Sequence, residues 1–369
     1  MIMRLSILII AFISIISACQ RRLAEPDPME PDNNNALYFP PTSGEEWETI
    51  SPIDLGWDMA ELDALNTFME DNNTRAFMIL KDGKIVVEEY FGKTVLGRPF
   101  GPNSQWYWAS AGKSLKAMLV GQAQEDGFLS IDDPTYQYLG ENWTSLEAAL
   151  EKKVTIKHQL TMTTGFDDRG DEHDCLDPSC LVFKAEAGTR WAYHNPPYYL
   201  LNDVISAATG QSFESYFKEK LRDPIGMKGS WQQFRKYNMY MSNARSMARY
   251  GLLVLNNGNW DGKEVLSDKT FMYDMIHPSQ SLNPSYGYLW WLNGQSEVKY
   301  PGIQMSFKRQ LALSAPGDMV AAMGANGQII NVIPSQNVII VRMGENPDRS
   351  LIPAKFQDEM WERLTEVLN

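Results

Sequence analysis

Basic residues and histidine are scarce in this 369-residue chain. Lysine and arginine number 33 against 46 acidic residues, a formal net charge of −13. Binding phosphate backbones needs a basic face, so a general nucleic-acid binder is excluded. Acidity of this size keeps a protein soluble and says nothing about its fold. There is no H-E-x-x-H zinc helix, no P-loop and no G-x-G-x-x-G turn. G-x-S-x-G is absent too, which removes the nucleophile elbow of an α/β-hydrolase. Only four histidines are present. They leave a Ser-His-Asp arrangement open but do not point to one, and His158 and His277 read as structural. What is there suits a folded protein: 44% hydrophobic and 21% charged residues, in a length that fits one large domain or two smaller ones.

Cysteine is also sparse, with three residues: Cys19, Cys175 and Cys180. Residues 1–18 carry one charge, Arg4, then an apolar run from Leu5 to Ile16 that is short for a bilayer span. A basic start, a short apolar centre and small residues at the end describe a secretory signal. Its end, Ile16-Ser17-Ala18-Cys19, resembles a bacterial lipobox, in which the cysteine is lipidated and becomes the new N-terminus. Cleavage elsewhere, as a plain signal, is the alternative. The expected location is therefore outside the cytoplasm, facing the periplasm or cell exterior, with Cys19 as the sole membrane contact. Residues 19–45, rich in Pro, Asp, Asn and Glu, read as a flexible tether, and 46–369 as the folded domain. Cys175 and Cys180 remain as an even pair, which in an exported protein suggests a disulfide, two free thiols being the alternative. So short a ring restrains its loop rather than the whole fold.

The folded part starts with helical spacing near Met59–Asn72. Two β-rich runs between Phe77 and Phe91 then flank Asp82-Gly83, a strong hairpin signal. Near the other end, Met319–Met323, Gln328–Ile333 and Val338–Met343 read as strands, followed by an amphipathic helix over Ala354–Leu368. Between the ends the apolar spacing is mainly helical: Ser110–Gln124, Ile156–Met162, Tyr198–Thr209, Phe213–Leu221 and Ala244–Leu255. The expected class is α+β, an α/β sandwich. Both chain ends form one antiparallel sheet flanked by helices, with a mainly helical lobe inserted over about 125–280. A cleft between lobes is a usual place for a site.

The chemistry-bearing motif is S-x-x-K at Ser110-Ala111-Gly112-Lys113, opening an apolar helix after Trp106-Tyr107-Trp108. Serine is a poor nucleophile unless a base takes its proton. Three residues apart on a helix, Ser110 and Lys113 share a face. The helix N-terminus favours negative charge on the serine oxygen. Lysine serves as a base only if burial or neighbouring charge depresses its pKa. The motif alone is weak, because Ser215–Lys218 and Ser296–Lys299 also match it. The first of these falls in an amphipathic helix and the second in a polar turn. Tyr193-His194-Asn195, the only Y-x-N, breaks the tie. Tyr193 can shuttle the proton with Lys113, and Asn195 can hold Lys113 or a substrate carbonyl.

Together, Ser110–Lys113 and Tyr193–Asn195 resemble the serine β-lactamase, penicillin-binding protein and esterase superfamily, nearest its class C-like branch. Leu129–Pro134, Thr155–Gly165, Ala248–Leu253 and Tyr286–Trp291 resemble it as well, so the likeness runs from about residue 50 to about 345. The resemblance implies Ser110 as nucleophile, Lys113 and Tyr193 as proton handlers, and an acyl-enzyme released by water without metal or organic cofactor. It also implies an oxyanion hole of the Ser110 and Ala325 N–H groups, with Gly324 and Asn195 toward substrate. One motif departs: the family's K-T-G or H-x-G strand reads Ala322-Met323-Gly324 here. That cation helps hold the carboxylate of penicillins and peptidoglycan stems. Its loss resembles instead the esterases and 6-aminohexanoate-dimer hydrolases. The expected partner is a small or peptide-like ester or amide. The alternatives are a β-lactamase, a D-Ala-D-Ala carboxypeptidase, and a silent binding lipoprotein of the same fold. Trp108, with Trp106, Trp290 and Trp291, is a candidate for an apolar substrate wall. The acidic loop Asp167–Cys175 reads as a solvated rim rather than a metal site.

Overall fold

Asp82 and Gly83 both adopt left-handed backbone (φ 51° and 82°), which is what a two-residue hairpin turn demands. In the computed structural model, residues 37–368 are described apart from 170–173, 235–236, 346 and 348–349. The expected signal segment, Cys19, most of the tether and His173 lie outside the described residues.

The hairpin joins β1 (Thr74–Lys81) to β2 (Lys84–Tyr90). The far end of the chain supplies β3 (Trp291–Leu292), β4 (Val320–Gly324), β5 (Gln328–Ile333) and β6 (Val338–Gly344). Their spatial order is β2-β1-β6-β5-β4-β3, antiparallel throughout. Met78 lies opposite Val341, Val341 opposite Ile330, and Ile330 opposite Ala322. The first and last strands of the folded part thus close the centre of one sheet, as the sequence suggested.

Every residue of β5 and β6 is buried, so both faces of the sheet are covered. On one face lie α1 (Met59–Asp71) and α5 (Ala354–Leu368), which bring Leu65, Met69, Met360, Trp361 and Leu364 onto Phe77, Ile79, Ile329 and Ile340. The N-terminus of α1 is fixed by Asp58, whose carboxylate accepts from the N–H groups of Ala60 and Glu61. On the other face lie α2 (Lys113–Glu125) and α4 (Ala244–Leu255), with α3 (Leu201–Thr209) packed beside α2 in the lobe. A Cβ on Gly251 of α4 would come within 2.8 Å of Ile339 Cγ2, so glycine lets this helix lie close on the sheet. From Lys113 to Ala123, α2 is buried on all sides, which makes it the axis of the molecule rather than an amphipathic cover.

Two features depart from the expected layout. Trp106–Tyr107, ahead of the lobe, joins Tyr237–Ser242 and Ser230–Phe234 in a second, three-stranded antiparallel sheet. Its strands are short and carry Gln232, Gln233 and Asn238, so no alternating apolar pattern announces them. The α-helix also starts at Lys113 rather than Ser110, because Ala109–Gly112 form a 3₁₀ turn.

Candidate active site

Ser110 is placed by the joint between the small sheet and α2. The Trp108 N–H donates to the Tyr240 carbonyl at 2.9 Å, and its indole Nε1 donates to Ser242 Oγ at 2.6 Å. Next comes Ala109 at φ +47°, a left-handed conformation that costs a residue with a Cβ roughly 1–2 kcal/mol. This strained step turns the chain sharply, and Ser110 emerges from the 3₁₀ turn with Ala109 and Lys113 beside it in a cavity of about 580 Å³.

Lys113 is 2% exposed, and its Nζ donates to Ser110 Oγ at 3.0 Å. Burial disfavours the ammonium and lowers its pKa to about 7, while the charge of Asp174 pulls the other way. A neutral amine at this distance reverses the contact and accepts the serine proton. Tyr193 lines the same cavity as Ser110; burial raises its pKa, and the neighbouring Ser110 pulls the other way. Its ring stacks on Trp291 with centroids 5.8 Å apart. The Lys113 ammonium lies 4.0 Å from the ring centre of Tyr198 and 5.1 Å from that of Tyr193, aromatic faces that partly compensate its lost hydration.

The opposite wall is the end of β4. A Cβ on Gly324 would stand 2.4 Å from the Trp108 carbonyl oxygen and 2.9 Å from the Ser110 nitrogen. Only glycine permits this approach, which sets Ala325 on the cavity wall with Ser110. Two long-range devices hold the turn that follows. Asn326, left-handed at φ 65°, donates through Nδ2 to the Tyr107 hydroxyl at 2.8 Å. The guanidinium of Arg342 is wholly buried and donates to the carbonyls of Gly327 at 2.7 Å and Asn72 at 2.7 Å, and to Thr74 Oγ1 at 3.0 Å.

Sequence reasoning missed Arg342, whose only signal is a charge in the middle of an apolar strand. It also missed Lys116, fully buried one turn beyond Lys113. The Lys116 Nζ has no hydrogen-bond partner, lies 3.9 Å from the Tyr198 ring centre, and has a pKa well below the usual lysine value because of burial. Its signal was a lone cation in the apolar run Leu115–Val120.

Several expected site residues sit elsewhere. Trp108 forms no substrate wall: it is 0% exposed, and its indole is a structural anchor facing Tyr240 and Tyr250. Trp106, Trp290 and Trp291 are likewise core. Asn195 lines the cavity but gives its amide to Asp174 rather than to Lys113. Ser296 and Lys218, from the two competing S-x-x-K matches, are on the surface. Cys175 and Cys180 are joined in a disulfide. In the acidic loop Asp167 pairs with Lys184 at 3.1 Å and Asp168 with Arg190. Among the described residues, no group of three or more His, Cys, Asp or Glu is placed to hold a metal ion.

A family model described as Beta-lactamase matches residues 67–349, well over half of the chain. The chain belongs to the beta-lactamase family. Within the serine β-lactamase and penicillin-binding superfamily, membership supports a serine hydrolase-type function. An uncharacterized protein of Alkalihalophilus pseudofirmus is 25% identical over 304 residues, covering 74% of this chain and 84% of that protein. A penicillin binding protein from Bacillus halodurans has a similar structure, with a TM-score of 0.61 and 17% identity over 83% of this chain and all of that one. A structure assigned as a 6-aminohexanoate-dimer hydrolase from Bacillus anthracis gives a TM-score of 0.65 at 19% identity, over 90% of this chain and 91% of that one. At these identities the structural likenesses speak for the fold of the beta-lactamase family alone.

Proposed function

We propose that this protein is an exported serine hydrolase that opens an ester or amide bond in a small or peptide-like substrate through an acyl-enzyme on Ser110. The observation that carries the reading is the buried Lys113 amine, 3.0 Å from Ser110 Oγ with its pKa brought to about 7. At neutral pH about half of such an amine is free to take the serine proton. Ser110 Oγ then bonds to the carbonyl carbon, and the carbonyl π electrons move onto oxygen. The N–H groups of Ser110 and Ala325 receive that oxyanion, a contribution of typically about 3–4 kcal/mol per donor. Collapse expels the leaving group, which takes its proton from Lys113 directly or through Tyr193. Water repeats the sequence on the acyl-enzyme and restores the serine.

A non-anionic substrate is favoured. Ala322, where relatives of this fold carry a cation, is buried in the sheet, and among the described residues Lys113 is the only lysine or arginine on the cavity wall. Tyr198, Tyr199, Met239, Pro301 and Leu351 offer an apolar surface instead. Turnover of p-nitrophenyl acetate and nitrocefin by the wild type and Lys113→Ala separates the possibilities. Lys113-dependent ester turnover with little nitrocefin turnover supports the reading, and efficient nitrocefin turnover moves it to a β-lactamase.

Export is supported by the Cys175–Cys180 disulfide, a bond that persists in oxidising compartments. Lipid attachment at Cys19 is tested by palmitate labelling in cells. Label present in the wild type and lost in Cys19→Ala supports the anchor, and equal label in both refutes it.

A further inference from the structure

The Asn195 carboxamide is turned away from the role its motif suggests. Its Nδ2 donates to Asp174 Oδ1 at 2.8 Å, and its own Oδ1 is buried without a hydrogen-bond partner. A carboxylate only accepts, so Asp174 dictates this orientation. Asp174 immediately precedes Cys175, and the Cys175–Cys180 bond closes a ring with a sequence separation of only five. The ring therefore restrains the backbone beside a carboxylate that lines the same cavity as Ser110 and Lys113.

We infer that Asp174, restrained by the Cys175–Cys180 ring, is a positioning residue of this site. It fixes the Asn195 carboxamide and sets a negative charge against the Lys113 amine. The inference rests on the Ser110–Lys113 reading above.

The surroundings of Lys113 leave this role to Asp174. The rings of Tyr193, Tyr198 and Tyr199 face the amine, and burial pushes the Tyr193 and Tyr198 hydroxyls up, so both stay neutral. Lys116, on the same helix, is driven toward its neutral form by burial, and the carboxylate acting on it is Asp203. Asp168 is neutralised by Arg190. His194, also on the cavity wall, has its pKa lowered to about 4 and is neutral. Among the described residues, Asp174 is the one carboxylate whose charge acts on Lys113, and it favours the protonated amine.

The test is the pH dependence of Ser110 labelling by a fluorophosphonate in the wild type, Asp174→Asn and Cys175→Ser/Cys180→Ser. Protonation of Lys113 removes the base, so labelling falls on the acid side. Without the carboxylate the amine gives up its proton more readily. The acid limb of Asp174→Asn is therefore expected to move down by up to roughly one pH unit. Relative to each protein's own plateau, labelling at pH 5.5 rises several-fold. The double serine variant moves the same way, since the released loop no longer holds the carboxylate, and it supplies the answer if Asp174→Asn does not fold. A merely structural aspartate lowers the plateau and leaves the limb in place. An acid limb unmoved in the folded variants, with the wild type labelled normally, overturns this inference and leaves the hydrolase reading intact. A wild type that takes no label at Ser110 overturns both.

Discussion

Replacing Lys113 by methionine is expected to abolish chemistry and stabilise the protein in the same step. A lysine whose pKa falls from 10.5 unfolded to about 7 folded is a standing cost of the native state. The unfolded chain binds a proton there that the folded chain partly gives up, so stability rises with pH between the two values. The penalty is full below pH 7, at about 5 kcal/mol, and about 4 kcal/mol at pH 7 itself. By pH 10 it is under about 1 kcal/mol. Methionine fills nearly the same volume without a charge. The lost Ser110 contact subtracts about 1 kcal/mol. Urea unfolding at pH 6, 7, 8 and 10 reads the difference from wild type through the midpoint at constant slope. Lys113→Met should be about 3 kcal/mol more stable at pH 7, with the advantage vanishing by pH 10. A difference that does not change with pH, or a variant less stable than wild type at pH 6, refutes the buried, depressed amine and with it the general-base argument.

Two further substitutions probe the remaining parts of the site. Tyr193→Phe keeps the ring stacked on Trp291 and removes only the hydroxyl. Fluorophosphonate labelling should slow by roughly 100-fold with the urea midpoint nearly unchanged, and a rate equal to wild type removes Tyr193 from proton transfer. Gly324→Ala forces the strand end away from the Trp108 carbonyl and Ser110 nitrogen. It should lower stability by roughly 1–3 kcal/mol and slow ester turnover by at least about 100-fold as the oxyanion donors separate. Unchanged turnover in a folded Gly324→Ala variant excludes the close approach as a catalytic requirement.

The parts of the fold that were legible in the sequence are those with local signals. Asp82-Gly83 announces its hairpin, and the apolar runs of β5 and β6 need no partner to be read as strands. The Ser110–Lys113 pair was equally legible, because three residues of helix or 3₁₀ turn fix its geometry locally. What stayed hidden depends on distant partners. The two-residue strand Trp106–Tyr107 exists only because Ser242 and Met241 pair with it. Trp108 sits in an aromatic stretch that suits a pocket wall as well as a core, and a hydrogen bond to Ser242, 134 residues away, decides for the core. Asn195 carries the right motif, yet its orientation is set by Asp174 from a separate loop. Arg342 serves as a structural staple only in view of carbonyls at Asn72 and Gly327, which the chain order keeps far apart.

Every role proposed at this site depends on Ser110 acting as the nucleophile. Intact-mass analysis of the purified protein, residues 37–369, after fluorophosphonate treatment tests this, with Ser110→Ala alongside. One adduct is expected on the wild type, mapped to Ser110, and none on the variant. No adduct on the wild type, or an adduct that persists in Ser110→Ala, contradicts it.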